Sequence, residues 1–144
     1  MADHSRPEQV GLRYLSVAYR VRKVLNEQMT TSGLSLARAK VLQVLERNAS
    51  IRQTSLAQEL GFAQRSVTQA VESLERDGLV ARESDPTDGR AKLVTLTTEG
   101  AAALAASTDA GNQALQKIFG TLDRKQLAQL DELLTGIDEA TGAT

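Results

Sequence analysis

Residues 55–100, SLAQELGFAQRSVTQAVESLERDGLVARESDPTDGRAKLVTLTTEG, carry the pattern that decides the fold. Leu56, Ala57 and Leu60 form the inner face of a short helix that Gly61 closes, and Ser55 with Gln58 has the spacing of a capping box at its start. After a tight turn at Gly61, Phe62 and Ala63, the apolar residues Val67, Ala70, Val71 and Leu74 recur at helical spacing, which predicts a second helix over residues 64–77, ended by Gly78. Leu79 to Glu83 reads as a strand, residues 84–90 as a turn carrying Asp85, Pro86 and Gly89, and residues 92–96 as the returning strand. Two short helices followed at once by a hairpin with a polar tip have the layout of a winged helix-turn-helix. The expected fold class is therefore mainly α with a small β-hairpin wing.

The second helix keeps Gln64, Arg65, Ser66, Thr68, Gln69 and Ser73 largely outside its apolar stripe. These types suit a DNA major groove. An arginine such as Arg65 can donate to guanine O6 and N7, Gln64 or Gln69 can pair with adenine, and Ser66 and Thr68 are short enough for phosphate or base-edge contacts. At the wing tip Asp88 and Arg90 stand two residues apart. There an arginine can enter a narrow minor groove while a nearby carboxylate holds its guanidinium. Taken singly, the helix face is an ordinary solvated surface and the tip an ordinary charged turn. Their succession is what points to a reader of duplex DNA.

Outward from this block, residues 8–29 carry Val10, Tyr14, Val17, Val21 and Val24 as one helical stripe, with Leu15, Ala18 and Leu25 beside it. That apolar face is wider than one packing seam needs, so a subunit interface is expected on it. Ser35 can cap a helix running to about residue 47 with Leu36, Ala39, Val41, Leu42, Val44 and Leu45 buried, and Ile51 can add a residue or two of edge strand. Downstream, Thr97 or Thr98 can cap a long alanine-rich helix to Phe119. Asp123 and Gln126 then stand at capping-box spacing before Leu127, Leu130, Leu133, Leu134 and Ile137. The resulting division is an N-terminal dimerisation helix in residues 1–34, a DNA-binding unit in residues 35–98 and C-terminal dimerisation helices in residues 99–144.

Composition narrows the function classes. The chain has 144 residues, 41% apolar and 24% charged, which suits one compact domain. No cysteine is present, so disulfides, thiolate metal sites and thiol switches are excluded. The four aromatic residues, Tyr14, Tyr19, Phe62 and Phe119, are too few for a single-strand stacking platform. The net charge of −1 conceals an uneven spread: residues 1–50 hold 8 Lys/Arg against 4 Asp/Glu, and residues 97–144 hold 3 against 7. A local basic stripe can still meet phosphates while the far side is acidic. The opening MADHSRPEQ lacks the apolar centre of a secretion signal and no long apolar run occurs, so a cytoplasmic protein off the membrane is expected. The one histidine, His4, and the lack of GxGxxG, P-loop, HExxH or GxSxG patterns leave an enzyme, a metal site or a cofactor without residues to build on.

The SLAQEL helix, the VTQAVESLERDGLV stretch, the DPTDGR wing with its D-x-R element at Asp88 and Arg90, and the LTTEG that follows closely resemble the MarR family of bacterial transcription regulators. The resemblance implies an obligate homodimer with interlocked N- and C-terminal helices on a pseudo-palindromic, double-stranded operator. It implies Gln64, Arg65, Ser66, Thr68 and Gln69 on the DNA, Arg90 in the minor groove and Asp88 orienting it. It also implies repression relieved by a small, often phenolic, effector between the dimer helices and the reader, where Tyr14, Tyr19 and Phe62 are candidate pocket residues. Three positions depart from the family pattern. Ala63 stands where a capping Ser is common, and Gln69 and Ser73 stand where basic residues are frequent; fewer cations there imply weaker non-specific binding, or greater dependence on Arg65, Arg90 and the outlying Arg38, Lys40, Arg82 and Lys92. The rival readings are a winged-helix protein-interaction module without an operator, and a ligand-binding protein with vestigial DNA contacts.

Overall fold

The computed structural model describes residues 6–142; His4 lies outside the described residues. Nine elements follow in order: α1 (Pro7–Thr31), α2 (Leu36–Arg47), β1 (Ile51–Arg52), α3 (Gln53–Leu60), α4 (Gln64–Arg76), β2 (Val80–Ser84), β3 (Lys92–Leu96), α5 (Thr98–Phe119) and α6 (Arg124–Ala140). The strands form one antiparallel sheet in the order β1-β3-β2, with Ile51 opposite Val94 and the hairpin registered from Val80–Leu96 to Ser84–Lys92.

The core sits where α2, α3, α4 and the sheet converge. Leu42, Leu45, Leu56, Val67, Val71, Leu74 and Val94 are fully enclosed there. Each such side chain stabilises the fold by roughly 1.5–3 kcal/mol through the apolar area it removes from water. Short polar loops with specific stops make this packing possible. At the end of α3, Gly61 takes the left-handed conformation (φ 67°), so that Phe62 N donates to Ala57 O and Gly61 N to Gln58 O. Gly78 (φ 75°) does the same after α4, with Leu79 N donating to Leu74 O, and the chain turns directly into β2. The Ser35, Thr97 and Asp123 side chains cap α2, α5 and α6, the last in a reciprocal capping box with Gln126.

One cap differs from the sequence expectation. Ser55 does not start α3; the helix begins at Gln53, with Arg52 at its N-cap and no side-chain cap bond. The cause lies in the sheet. Pairing of Ile51 and Arg52 with Val94 and Leu93 holds the backbone extended up to Arg52, and the helix starts as soon as that pairing ends.

The terminal helices behave differently from the centre. α1 meets α5 closely through small residues, with Gly111 facing the Leu25 and Met29 side chains and Ser107 enclosed beside Ser32 at 3.5 Å. Most of the α1 stripe nevertheless faces outward: Val10, Tyr14, Leu15, Val17 and Val24 are all exposed, as is Leu12 outside it. α6 buries no residue at all, and Leu127, Leu133 and Ile137 stand in solvent. No described helix is long and apolar enough to cross a membrane.

Candidate nucleic-acid interface

The reader candidate α4 is amphipathic because its buried positions, Val67, Val71 and Leu74, recur at intervals of four and three and pin one side of the helix onto the core. The opposite side is free, with Gln64, Arg65, Ser66 and Gln69 exposed. Ala63 at its N-cap supplies no side-chain acceptor, so the first turn of α4 presents backbone N–H groups without a side-chain cap. Gln64 Nε2 leans toward Thr54 O at 3.5 Å. Thr68 is the exception among the predicted contact residues. It is half-buried, its hydroxyl donates to Gln64 O at 2.9 Å, and it accepts from Gln53 Nε2 at 2.8 Å. That hydroxyl is already engaged on both sides, so Thr68 locks the first turn of the helix to α3.

The wing is a tightly bonded loop. Asp85 is 8% exposed, and its Oδ1 accepts from Thr87 N at 2.9 Å and Thr87 Oγ1 at 2.8 Å. Its Oδ2 accepts from Arg52 Nε at 2.8 Å and pairs with Arg52 Nη2 at 2.7 Å. The two Thr87 bonds, helped by Arg52, hold the Asp85 carboxyl below the usual carboxylate range against the opposing effect of its burial. Asp88 and Arg90 project at the tip and are exposed. Here the structure corrects the sequence reading: the Asp88 carboxylate does not grip the Arg90 guanidinium, but its Oδ1 accepts from the Arg90 backbone N–H at 3.1 Å. A carboxylate two residues before an N–H closes an Asx turn with less rearrangement than it needs to reach the end of a long arginine. Asp88 shapes the tip and leaves the guanidinium free.

The outlying basic residues divide. Arg38 Nη2 meets Asp77 Oδ2 at 2.6 Å, joining α2 to the C-cap of α4. Arg82 holds Glu75 at 3.0 Å and, by that hydrogen bond first, lowers the Glu75 carboxyl from its usual range. Lys92 donates to the Ser84 hydroxyl at 3.3 Å across the hairpin. Sequence reasoning missed Arg52, Gln53 and Thr54, which line a cleft of about 170 Å³ with Gln64, Arg90 and Lys92, between the wing and the start of α4. The signal was present: Arg52 follows Ile51 on an expected edge strand, and period-two alternation turns it away from the buried face.

The three aromatic pocket candidates do not meet in one cavity. Tyr19 and Phe62 line a space of about 420 Å³ with Arg22, Lys23, Asn26 and Lys40. Tyr14 lines a second space of about 510 Å³ with Val17, Val21, Leu25, Phe119 and Leu130. Five residues along a helix rotate a side chain by about 140°, so Tyr14 and Tyr19 cannot face the same hollow. Among the described residues no group of three or more His, Asp or Glu side chains is placed to hold a metal ion.

Comparison with known proteins agrees with this geometry. A family model described as MarR family matches residues 32–91. The reduced form of MarR from E. coli is similar at 30% identity, over 88% of this chain and 94% of that one, with a TM-score of 0.77. A mutant MarR from E. coli complexed with operator DNA is similar at 26% identity, over 95% and 99% of the two chains, with a TM-score of 0.75. The YusO protein from Bacillus subtilis shares the fold, with a TM-score of 0.81 at 18% identity over 97% and 99% of the chains. No curated protein sequence matches. With the winged helix, the exposed α4 face and a 30% identical relative spanned almost end to end, the chain belongs to the MarR family and has the fold of its DNA-binding regulators.

Proposed function

We propose that the protein is a homodimeric repressor that occupies a pseudo-palindromic operator and leaves it when a small aromatic anion binds. The observation that carries the DNA reading is the exposed α4 face, Gln64, Arg65, Ser66 and Gln69, beside a wing whose Arg90 guanidinium is free at the tip. One such helix reads only a few base pairs. Two held about one helical turn apart multiply the discrimination. Residues 35–98 are the reading unit, and residues 1–34 and 99–144 build the dimer. Support for the dimer is the unpartnered apolar surface on α1 and α6, since a helix that fully buries no residue and leaves Leu127, Leu133 and Ile137 exposed gains little from folding alone. A MarR relative solved on operator DNA supports the same partner here.

Support for effector release is the cavity between α1, α2 and the turn before α4. Tyr19 and Phe62 offer aromatic faces, Arg22, Lys23 and Lys40 offer cations, and no carboxylate lines it. An aromatic carboxylate or phenolate fits that chemistry. Phe62 sits two residues before the reader helix, so a ligand there acts on the start of α4.

Fluorescence-anisotropy titration against the DNA upstream of the protein's own gene, and against a random-sequence selection, tests the reading at two salt concentrations. Preference of about a thousandfold over shuffled DNA, weakening as salt rises, is the expected result. Failure of both DNA sources to show preference would overturn it and favour a protein-interaction module.

A further inference from the structure

We infer that the cleft between the wing and the start of α4 is a seat for one backbone phosphodiester of the bound DNA, with Arg52 and Lys92 as its cationic jaws. This rests on the DNA reading above and adds residues to it. Arg52, Arg90 and Lys92 line the cleft and no carboxylate does, in a chain whose net charge is −1. The cleft opens between the two elements that approach DNA, so a strand passing from the major groove under α4 toward the wing runs across its mouth. Its volume of about 170 Å³ admits a phosphate group and little else.

Arg52 is prepared for the task. Asp85 holds its Nε and Nη2 on one edge, and Thr87 holds Asp85 in turn. The side chain remains 44% exposed, and the N–H groups of Nη1 stay free for an anion. A guanidinium fixed on one edge loses little rotamer freedom when a phosphate meets the other.

Gln53 supplies the second observation. Its Nε2 donates to Thr68, while its Oε1 is buried without a hydrogen-bond partner. Turning the terminal amide by half a revolution asks the Thr68 hydroxyl to give its one proton to Gln53 Oε1 in place of Gln64 O, which keeps its place as an acceptor in the helical ladder of α4. The same turn places the Nε2 donor where the orphan oxygen now lies. Gln53 lines the cleft, so a phosphate oxygen there would satisfy that donor once the buried end of the side chain moves to the cleft wall, and an unsatisfied carboxamide in the free protein becomes a phosphate ligand in the complex.

The test uses an operator obtained by selection with the full-length protein, first with each backbone phosphate replaced in turn by neutral methylphosphonate. Wild-type protein is expected to lose affinity at a discrete position in each half-site, and Arg52→Gln to be insensitive to replacement there. Lys92→Gln, which leaves the Arg52–Asp85 pair intact, guards against a folding defect. It is expected to make the dependence of log K on log salt shallower by about 0.9 for each phosphate it no longer neutralises. Asp85→Asn separates charge from position: it frees Arg52 without removing it and should keep the slope while weakening binding. If both Arg52→Gln and Lys92→Gln keep the wild-type slope and methylphosphonate profile, the seat is overturned while operator binding stands. If the wild-type protein selects no operator, the DNA reading itself has failed.

Discussion

Arg38 and Asp77 meet at 2.6 Å across 39 residues of sequence, so that a side chain near the start of α2 grips the residue that closes the reader helix. The pair is part-exposed, with side-chain accessibilities of 24% and 54%, and contributes about 0–1 kcal/mol to stability. Its effect is on position. α2 also carries Leu36 and Lys40, which line the aromatic cavity, so the pair joins the cavity wall to the end of α4. Asp77→Asn is expected to leave the unfolding midpoint nearly unchanged and to speed amide exchange in the last turn of α4, read by hydrogen exchange. Unchanged protection in that turn would show that the pair holds nothing in place.

Arg65→Ala is expected to cost about 1–3 kcal/mol on the selected operator and to relax preference at one base position, as removal of a bidentate guanine contact does. An equal loss of affinity on every sequence would make Arg65 a phosphate contact.

Arg90→Ala should weaken binding most on operators with A/T-rich flanks, where the minor groove is narrow. Because Asp88 bonds the Arg90 backbone rather than its guanidinium, Asp88→Ala should reproduce only part of that effect. A full match would restore a direct carboxylate–guanidinium role, and equal small effects on all flanks would remove the wing from the groove.

The Asp85 carboxyl titrates below its ordinary value of 3.8 because Thr87 and Arg52 stabilise the charged form. A depressed folded value makes the charged carboxylate stabilising above the unfolded value, and that contribution fades as pH falls through the folded one. The stability gap between wild type and Asp85→Asn should therefore be flat at neutral pH and close only below about pH 4. Denaturant midpoints across an acid series measure it; a gap that changes between about pH 5 and 7 would contradict the assignment.

Gly100 lies against the end of the α4–β2 turn, and a Cβ there would run into the Leu79 carbonyl oxygen and come within 2.7 Å of Leu96 Cδ1. Backbone cannot yield as a side chain can. Gly100→Ala should destabilise by at least about 1–3 kcal/mol, the usual cost of overpacking. A thermal midpoint equal to wild type would show that α5 can shift freely away from the hairpin.

The centre of the molecule was legible in the sequence because its punctuation is chemical. Gly61 and Gly78 stop two helices at positions needing positive φ, and Asp123 with Gln126 announces its helix through a reciprocal bond. The resemblance to the MarR family, carried by residues 55–100, agrees with the matching family model and relatives. What escaped depends on contacts between distant segments. Ser55 has cap spacing, yet the partner strand at Leu93 and Val94 sets where α3 begins. Thr68 has a contact-ready hydroxyl that Gln53, fifteen residues away, already occupies. Tyr14 and Tyr19 are both aromatic residues of one helix, and only its rotation separates their cavities.

The two-residue strand β1 has a mechanical consequence. By pairing Ile51 and Arg52 with β3, it stitches the helix pair to the wing at both ends, and Asp85 and Arg52 rivet the same joint. Reader and wing are thereby joined into one piece, so in the proposed dimer the freedom left would be the angle between two such pieces, set by the terminal helices. A small change in that angle is magnified at the tips, so in the proposed dimer an effector beside Phe62 would shift the spacing of the two heads.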